Sequence, residues 1–121
     1  HGTPAQFGPQ ARHLAARGMV ALCAEYRVAQ RHGTTPFDAV ADGKAALRWT
    51  RQQADRLGID PQRIAAAGGS AGGHLAACTA LVPGFEPEAD VTSSRPDAMV
   101  LFNPVVDTGP AGTRFRVWLS G

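Results

Sequence analysis

A glycine-rich turn fenced by two apolar runs constrains this chain more than any other feature. Residues 63–81 read Arg-Ile-Ala-Ala-Ala-Gly-Gly-Ser-Ala-Gly-Gly-His-Leu-Ala-Ala-Cys-Thr-Ala-Leu. The run at 64–67 is short, apolar and uncharged, the form of a buried strand. The run at 71–81 has the length of about three helical turns. Between them lies Gly68-x-Ser70-x-Gly72. A chain that passes from strand to helix in so few residues must turn sharply. That predicts a strained backbone at Ser70 and so close an approach of strand and helix that Gly68 and Gly72 must lack side chains. The serine hydroxyl then stands clear of the backbone, above a sheet edge and at the positive end of a helix. This is the sequence form of a nucleophile elbow, which presents a weak alcohol nucleophile to a carbonyl carbon.

In a chain with 14 glycines, a bare G-x-S-x-G also fits a flexible turn. The strand before it and the helix after it favour the elbow. Phosphate-binding loops fit worse. Gly68 and Gly73 have the outer spacing of a P-loop, but His74 and Leu75 stand where lysine and a hydroxyl would hold phosphate and magnesium. A dinucleotide loop starting at Gly68 would need glycine where Ser70 stands.

Composition excludes several other classes. The 121 residues suffice for one small domain with one core. At 44% hydrophobic and 18% charged, the chain reads as globular rather than disordered. No apolar run approaches a membrane span. A net charge of +2 with scattered arginines gives no nucleic-acid footprint. Glu86, Glu88 and Asp90 form a short acidic stretch, expected as a solvated loop. Two cysteines make neither a disulfide framework nor a metal site. Cys23 and Cys78 are expected to be small buried apolar groups. No signal peptide is legible and the first residue is not methionine. The expectation is therefore that the true N-terminus is absent, with localisation, cytoplasmic or secreted, left open.

Along the chain, residues 5–17 have helical spacing, stopped by Gly18. Residues 19–26 (Met-Val-Ala-Leu-Cys-Ala-Glu-Tyr) read as a strand buried on both faces, and 27–34 as a polar loop. Thr35-Pro36-Phe37-Asp38 opens a helix, with Thr35 as N-cap, Pro36 at the first helical position and Asp38 at the capping-box position. Val40, Leu47, Ala54 and Leu57 lie on one face of it, and Gly58 ends it. After the elbow, 81–96 is a loop rich in proline and acid, and 97–106 gives a third strand that breaks at Pro104. This order of helix and strand implies an α/β layer fold with parallel strands and right-handed crossovers. Sites in such sheets lie beyond the carboxyl ends of the strands, which here carry Tyr26-Arg27, Gly69-Ser70 and residues 103–107.

Four stretches resemble one family. The segment from Leu14 to Tyr26-Arg27, the helix Asp42-Gly-Lys-Ala-Ala-Leu-Arg-Trp49, the lead-in Leu57-Gly-Ile-Asp-Pro-Gln-Arg-Ile64 and the elbow Gly68-Gly-Ser-Ala-Gly-Gly-His74 together resemble the α/β-hydrolases. The likeness is to the esterase/lipase branch, related to hormone-sensitive lipase and to feruloyl and acetyl-xylan esterases. It implies that 1–121 is the central part of a single α/β-hydrolase domain, a three-layer sandwich on a parallel central sheet, truncated at both ends. It implies a Ser-acid-His triad in that chain order. Ser70 would form the acyl-enzyme, the Ala71 N–H would be one oxyanion-hole donor, and Gly68 and Gly72 would shape the elbow. No cofactor or metal is implied, and the partner is a small-molecule or polysaccharide-linked ester.

The chain also departs from that pattern. The only histidine after Ser70 is His74, on the elbow's own helix, where it cannot both reach Ser70 and meet an acid from a later strand. It is expected on the helix surface or a pocket wall. His13 and His32 precede Ser70 and are expected on a helix face and a loop. Asp107 is expected to be a loop residue, because the family's acid follows one strand later. His1-Gly2 does not match the oxyanion loop; residues 2–7 resemble the Gly-Ser/Thr segment that follows that loop. The fragment is thus expected to carry the nucleophile and half of the oxyanion hole, without base or acid. Two other readings stay open: a non-catalytic α/β module in which Ser70 is only a turn residue, and an amidase or peptidase on the same fold.

Overall fold

The computed structural model describes residues 3–107. A 3-10 turn, Pro4–Phe7, runs into helix α1, Gly8–Ala15. Gly18 then reverses the chain at φ 83°. Its N–H reaches the Ala15 carbonyl at 3.0 Å, and the Met19 N–H reaches that of Leu14 at 3.3 Å. The stop expected at Gly18 is thus a glycine turn that satisfies the helix's last carbonyls.

Residues 19–26 carry no ladder hydrogen bonds, against the expected strand. Met19, Val20 and Leu22 are about half exposed, and Cys23 is exposed rather than buried. A strand exists only by pairing, and among the described residues no strand lies beside this segment. The loop expected at 27–34 contains one helical turn, α2, Ala29–His32, closed by Gly33 in the left-handed conformation.

Helix α3, Pro36–Gln52, begins as its sequence dictates. The Thr35 N–H and hydroxyl both donate to the Asp38 carboxylate, at 2.8 Å each. The helix breaks at Gln53 and resumes as α4, Ala54–Leu57, which Gly58 closes at φ 65°. Val40, Leu47 and Ala54 are buried on the expected face. Strand β1, Ala65–Gly69, leads through Ser70 into helix α5, Ala71–Leu81. Strand β2, Ala98–Phe102, returns parallel to β1, with Ala65 opposite Ala98 and Gly69 opposite Phe102. This α/β arrangement, with α5 as the crossover between parallel neighbours, is the expected layer pattern.

The core lies between α3, α5 and the sheet. Its buried members are Val40, Leu47, Ala54, Ile64, Leu75, Ala76, Ala77 and Val105. Gly43 lets α3 approach α5: a Cβ there would sit 3.2 Å from Leu75 Cγ and 3.2 Å from Thr79 Cγ2.

The loop from α5 to β2 is exposed over 81–89, as expected, but Glu86 and Asp90 also meet cations of α3. Lys44 is 2% exposed. Its Nζ donates to the Val82 and Gly84 carbonyls at 2.6 Å each and to Glu86 Oε1 at 2.8 Å. Arg48 Nε meets Asp90 Oδ2 at 3.1 Å, and Arg51 donates to the Ser93 carbonyl at 2.6 Å. A stripe of cations along one face of α3 therefore fastens the whole loop. The sequence shows the stripe, since Lys44, Arg48 and Arg51 recur at i, i+4 and i+7, but not the loop partners it takes.

Candidate active site

The strand-to-helix turn holds Ser70 at φ 52°, ψ −117°, outside the regions open to most residues. The turn is forced from both sides. The Ser70 N–H donates to the Phe102 carbonyl at 2.9 Å, which continues the β1–β2 ladder one step past its last pair. The Ser70 carbonyl accepts from the His74 N–H at 3.0 Å, which closes the first turn of α5. One residue thus ends a strand and caps a helix, and it does so with a positive φ rather than the extended conformation usual at a helix N-cap. The residue is exposed.

Gly68 is the residue the turn cannot replace. A Cβ there would lie 2.3 Å from both the carbonyl carbon and oxygen of Gly72 and 2.8 Å from the Gly73 nitrogen. These are backbone atoms that cannot swing aside. The crowding is not reciprocal. A Cβ on Gly72 meets nothing within 4 Å, whereas one on Gly73 would sit 3.0 Å from the Gly68 oxygen and 3.1 Å from Pro104 Cβ. The expected close approach therefore falls on Gly68 and Gly73, not on Gly72's own side-chain direction, which is open among the described residues. Phe7 packs over the same turn, its Cζ 3.3 Å from where a Gly69 Cβ would begin.

Ala71 is the first residue of α5. Its N–H belongs to a first turn in which the helix itself supplies no acceptor. Ser70 Oγ and this N–H are thus adjacent at the positive end of a helix, which favours negative charge developing there.

His74 makes its side-chain contacts elsewhere. Its Nδ1 lies 2.5 Å from the Val105 carbonyl and its Nε2 lies 3.4 Å from Cys78 Sγ. Both ring nitrogens are engaged along the flank of α5, in keeping with a helix-surface position. Burial pushes the Cys78 thiol above its usual range, and nearby Lys44 only partly opposes this. That is the reverse of an activated thiolate. The other two histidines make local contacts: His13 Nδ1 with Arg17 at 3.0 Å, and His32 Nδ1 with the Val28 N–H at 3.1 Å. Asp107 is exposed and follows β2 without belonging to an element. His1 and Gly2 lie outside the described residues.

Around the expected strand ends, Arg27 is anchored rather than free. Its guanidinium forks onto Asp42 at 2.7 Å and 3.1 Å, and its backbone N–H donates to the same carboxylate at 2.9 Å. The Arg27 hydrogen bond holds the Asp42 carboxyl below the usual carboxylate range. Burial raises the neighbouring Tyr26 phenol. Beside Ser70, the next register position is Asn103, which leaves the strand at φ 45°. Among the described residues, no group of three or more His, Cys, Asp or Glu side chains could hold a metal ion. No described helix is long and apolar enough to cross a membrane.

Known proteins share this arrangement. The profile of the BD-FAE family matches residues 3–113. The probable carboxylic ester hydrolase LipM of Mycobacterium tuberculosis is 39% identical over 105 residues, covering 84% of this chain and 24% of LipM. Thermogutta terrifontis esterase 2 phosphonylated by cyclosarin superposes with a TM-score of 0.83 at 55% identity, over 87% of this chain and 40% of that one. The same esterase with butyrate bound gives 0.84 at 51% identity, over 99% of this chain and 48% of that one. The chain thus spans about a quarter of LipM and under half of the esterase structures. With the elbow, the parallel sheet and these likenesses together, the chain belongs to the BD-FAE family and shares the α/β-hydrolase fold of these relatives.

Proposed function

We propose that this chain carries the nucleophile of a serine esterase. Ser70 Oγ attacks the carbonyl carbon of a carboxylic ester, and the Ala71 N–H donates to the oxyanion of the tetrahedral intermediate. The alcohol leaves, and water then hydrolyses the acyl-Ser70. A preorganised donor at the Ala71 position contributes roughly 3–4 kcal/mol to the transition state. The observation that carries this reading is the geometry of Ser70: an exposed residue at φ 52°, ψ −117°, at the head of α5. Backbone strain of this kind clusters at active sites. The phosphonylated state of the esterase 2 relative supports a reactive nucleophile in this fold.

In this reading His74 is not the triad histidine, because its ring nitrogens are engaged with Val105 and Cys78. In this reading residues 1–121 are the central part of a single domain. The substrates are small-molecule or polysaccharide-linked esters. Acetyl and feruloyl esters are the class to assay first, and the butyrate-bound relative supports short acyl chains.

The test is reaction of a fluorophosphonate probe with the longest open reading frame that carries this chain. Stoichiometric labelling that vanishes in Ser70→Ala is expected. Labelling that survives Ser70→Ala, or none in the parent, would leave Ser70 a turn residue.

A further inference from the structure

The strand that delivers Ser70 has nothing in its own side chains to set its register. Strand β1 is Ala65-Ala66-Ala67-Gly68-Gly69. A strand's register is normally specified by its pattern of large apolar residues, and Gly-rich strands slip easily. A one-residue slip would move Ser70 by about 3.3 Å along the sheet. Yet the elbow needs the Ser70 N–H opposite the Phe102 carbonyl, at 2.9 Å.

The far end of the ladder supplies what β1 lacks. One step before the first strand pair, the Asp97 N–H donates to the Ile64 carbonyl at 2.7 Å. The Asp97 carboxylate then accepts from the Ile64 N–H at 2.9 Å. Asp97 so grips both backbone groups of the residue that opens β1. Arg51 of α3 fixes Asp97 in turn, with Nη2 on the same carboxylate oxygen at 3.1 Å. The other guanidinium nitrogens of Arg51 donate to the Pro61 carbonyl at 2.8 Å and the Ser93 carbonyl at 2.6 Å. Pro61 precedes β1 and Ser93 precedes β2, so one planar cation brackets the approaches to both strands.

We propose that Asp97, held by Arg51, is the positioning residue that sets the register of β1 against β2 and thereby the height of Ser70 above the sheet. It acts through the strand and touches no reacting atom. The inference rests on the serine-esterase reading for its catalytic consequence, and its structural half is tested without it.

The experiment compares Asp97→Ala and Asp97→Asn with the parent, in the longest open reading frame that carries this chain. The readouts are the rate of fluorophosphonate labelling, kcat and KM on a short-chain p-nitrophenyl ester, and hydrogen exchange of the Ser70 amide. Asp97→Ala is expected to slow labelling on the order of tenfold, below the ~100-fold that a 1 Å misplacement can bring. It lowers kcat with KM unchanged and speeds Ser70 amide exchange. Asp97→Asn retains an oxygen acceptor for the Ile64 N–H and is expected to restore labelling to within about threefold of the parent. Unchanged labelling and unchanged Ser70 protection in Asp97→Ala overturn the proposal. So does an Asp97→Asn variant as impaired as Asp97→Ala. If the parent does not label, the esterase reading fails, and Ser70 amide protection alone decides the register pin. Should Asp97→Ala not fold, Arg51→Gln takes its place, with slower labelling and faster Ser70 exchange expected; parent-like values overturn the proposal.

Discussion

Ser70 sits where a serine pays a conformational penalty, at φ 52°, ψ −117°, and glycine would not. Strain of this kind is worth about 1–3 kcal/mol. Ser70→Gly is therefore expected to raise the thermal midpoint of the folded protein while abolishing fluorophosphonate labelling. The gain is up to about 2 kcal/mol after the extra chain entropy of glycine. Scanning calorimetry of parent and variant checks it, and a lowered midpoint would remove strain from the account. Gly68→Ala is expected to act in the opposite sense. Its Cβ would sit 2.3 Å from Gly72 backbone atoms, so the turn must open, at about 3 kcal/mol or more. Gly72→Ala should be far milder, because its Cβ direction is open. Urea unfolding of the two variants side by side reads that contrast. The motif announced both glycines alike, since spacing carries no direction. Only the crossing of helix over strand shows that the pressure falls on Gly68.

At the scale of elements, α3 acts as a brace as well as a core helix. Lys44 is 2% exposed and gives its three donors to Val82, Gly84 and Glu86. Lys44→Met keeps the stem and removes the charge, leaving two carbonyls and a carboxylate to find water. The expected loss is about 2–4 kcal/mol by urea unfolding. The carboxylates around α3 also set an acid limit. The Lys44 hydrogen bond depresses Glu86, the Thr35 N–H depresses Asp38, Arg27 depresses Asp42 and the Thr92 N–H depresses Asp90. A group depressed in the folded state contributes stability above its unfolded value and loses it as pH falls through the folded one. Stability is thus expected to be level from neutrality to about pH 5 and to fall below about pH 4. In Lys44→Met the fall should be shallower, and an equally steep one would separate Glu86 from the acid transition. The helix, its cap and its apolar face were legible from Thr35, Asp38, Val40 and Leu47. Its clamp on the loop was not, because which acid of 86–90 meets which cation depends on how the loop folds back.

Across the whole molecule, exposed large apolar residues are spread over helices, loops and strand, and two groups of them fall on 19–26 and on β2. Met19, Val20 and Leu22 are exposed, as are Met99, Val100 and Phe102 on β2. Such faces in a soluble protein are covered by further structure or associate. Residues 1–121 alone are expected to bind a hydrophobic dye, to self-associate in analytical ultracentrifugation and to show no ester turnover. A longer reading frame is expected to lose the dye signal and to gain turnover. A monomeric, dye-silent and active 121-residue chain would contradict that. The sequence by itself determined the local decisions. Gly18, Thr35-Pro36, Gly58 and Gly68-x-Ser70-x-Gly72 place helix ends and the elbow through backbone allowances that act within a few residues. Tertiary structure alone decided the rest. Residues 19–26 have strand composition but no ladder, because pairing needs a neighbour. β1 has no pattern to choose its register, and the contacts proposed to align it with β2, those of Asp97 and Arg51, join residues dozens of positions apart.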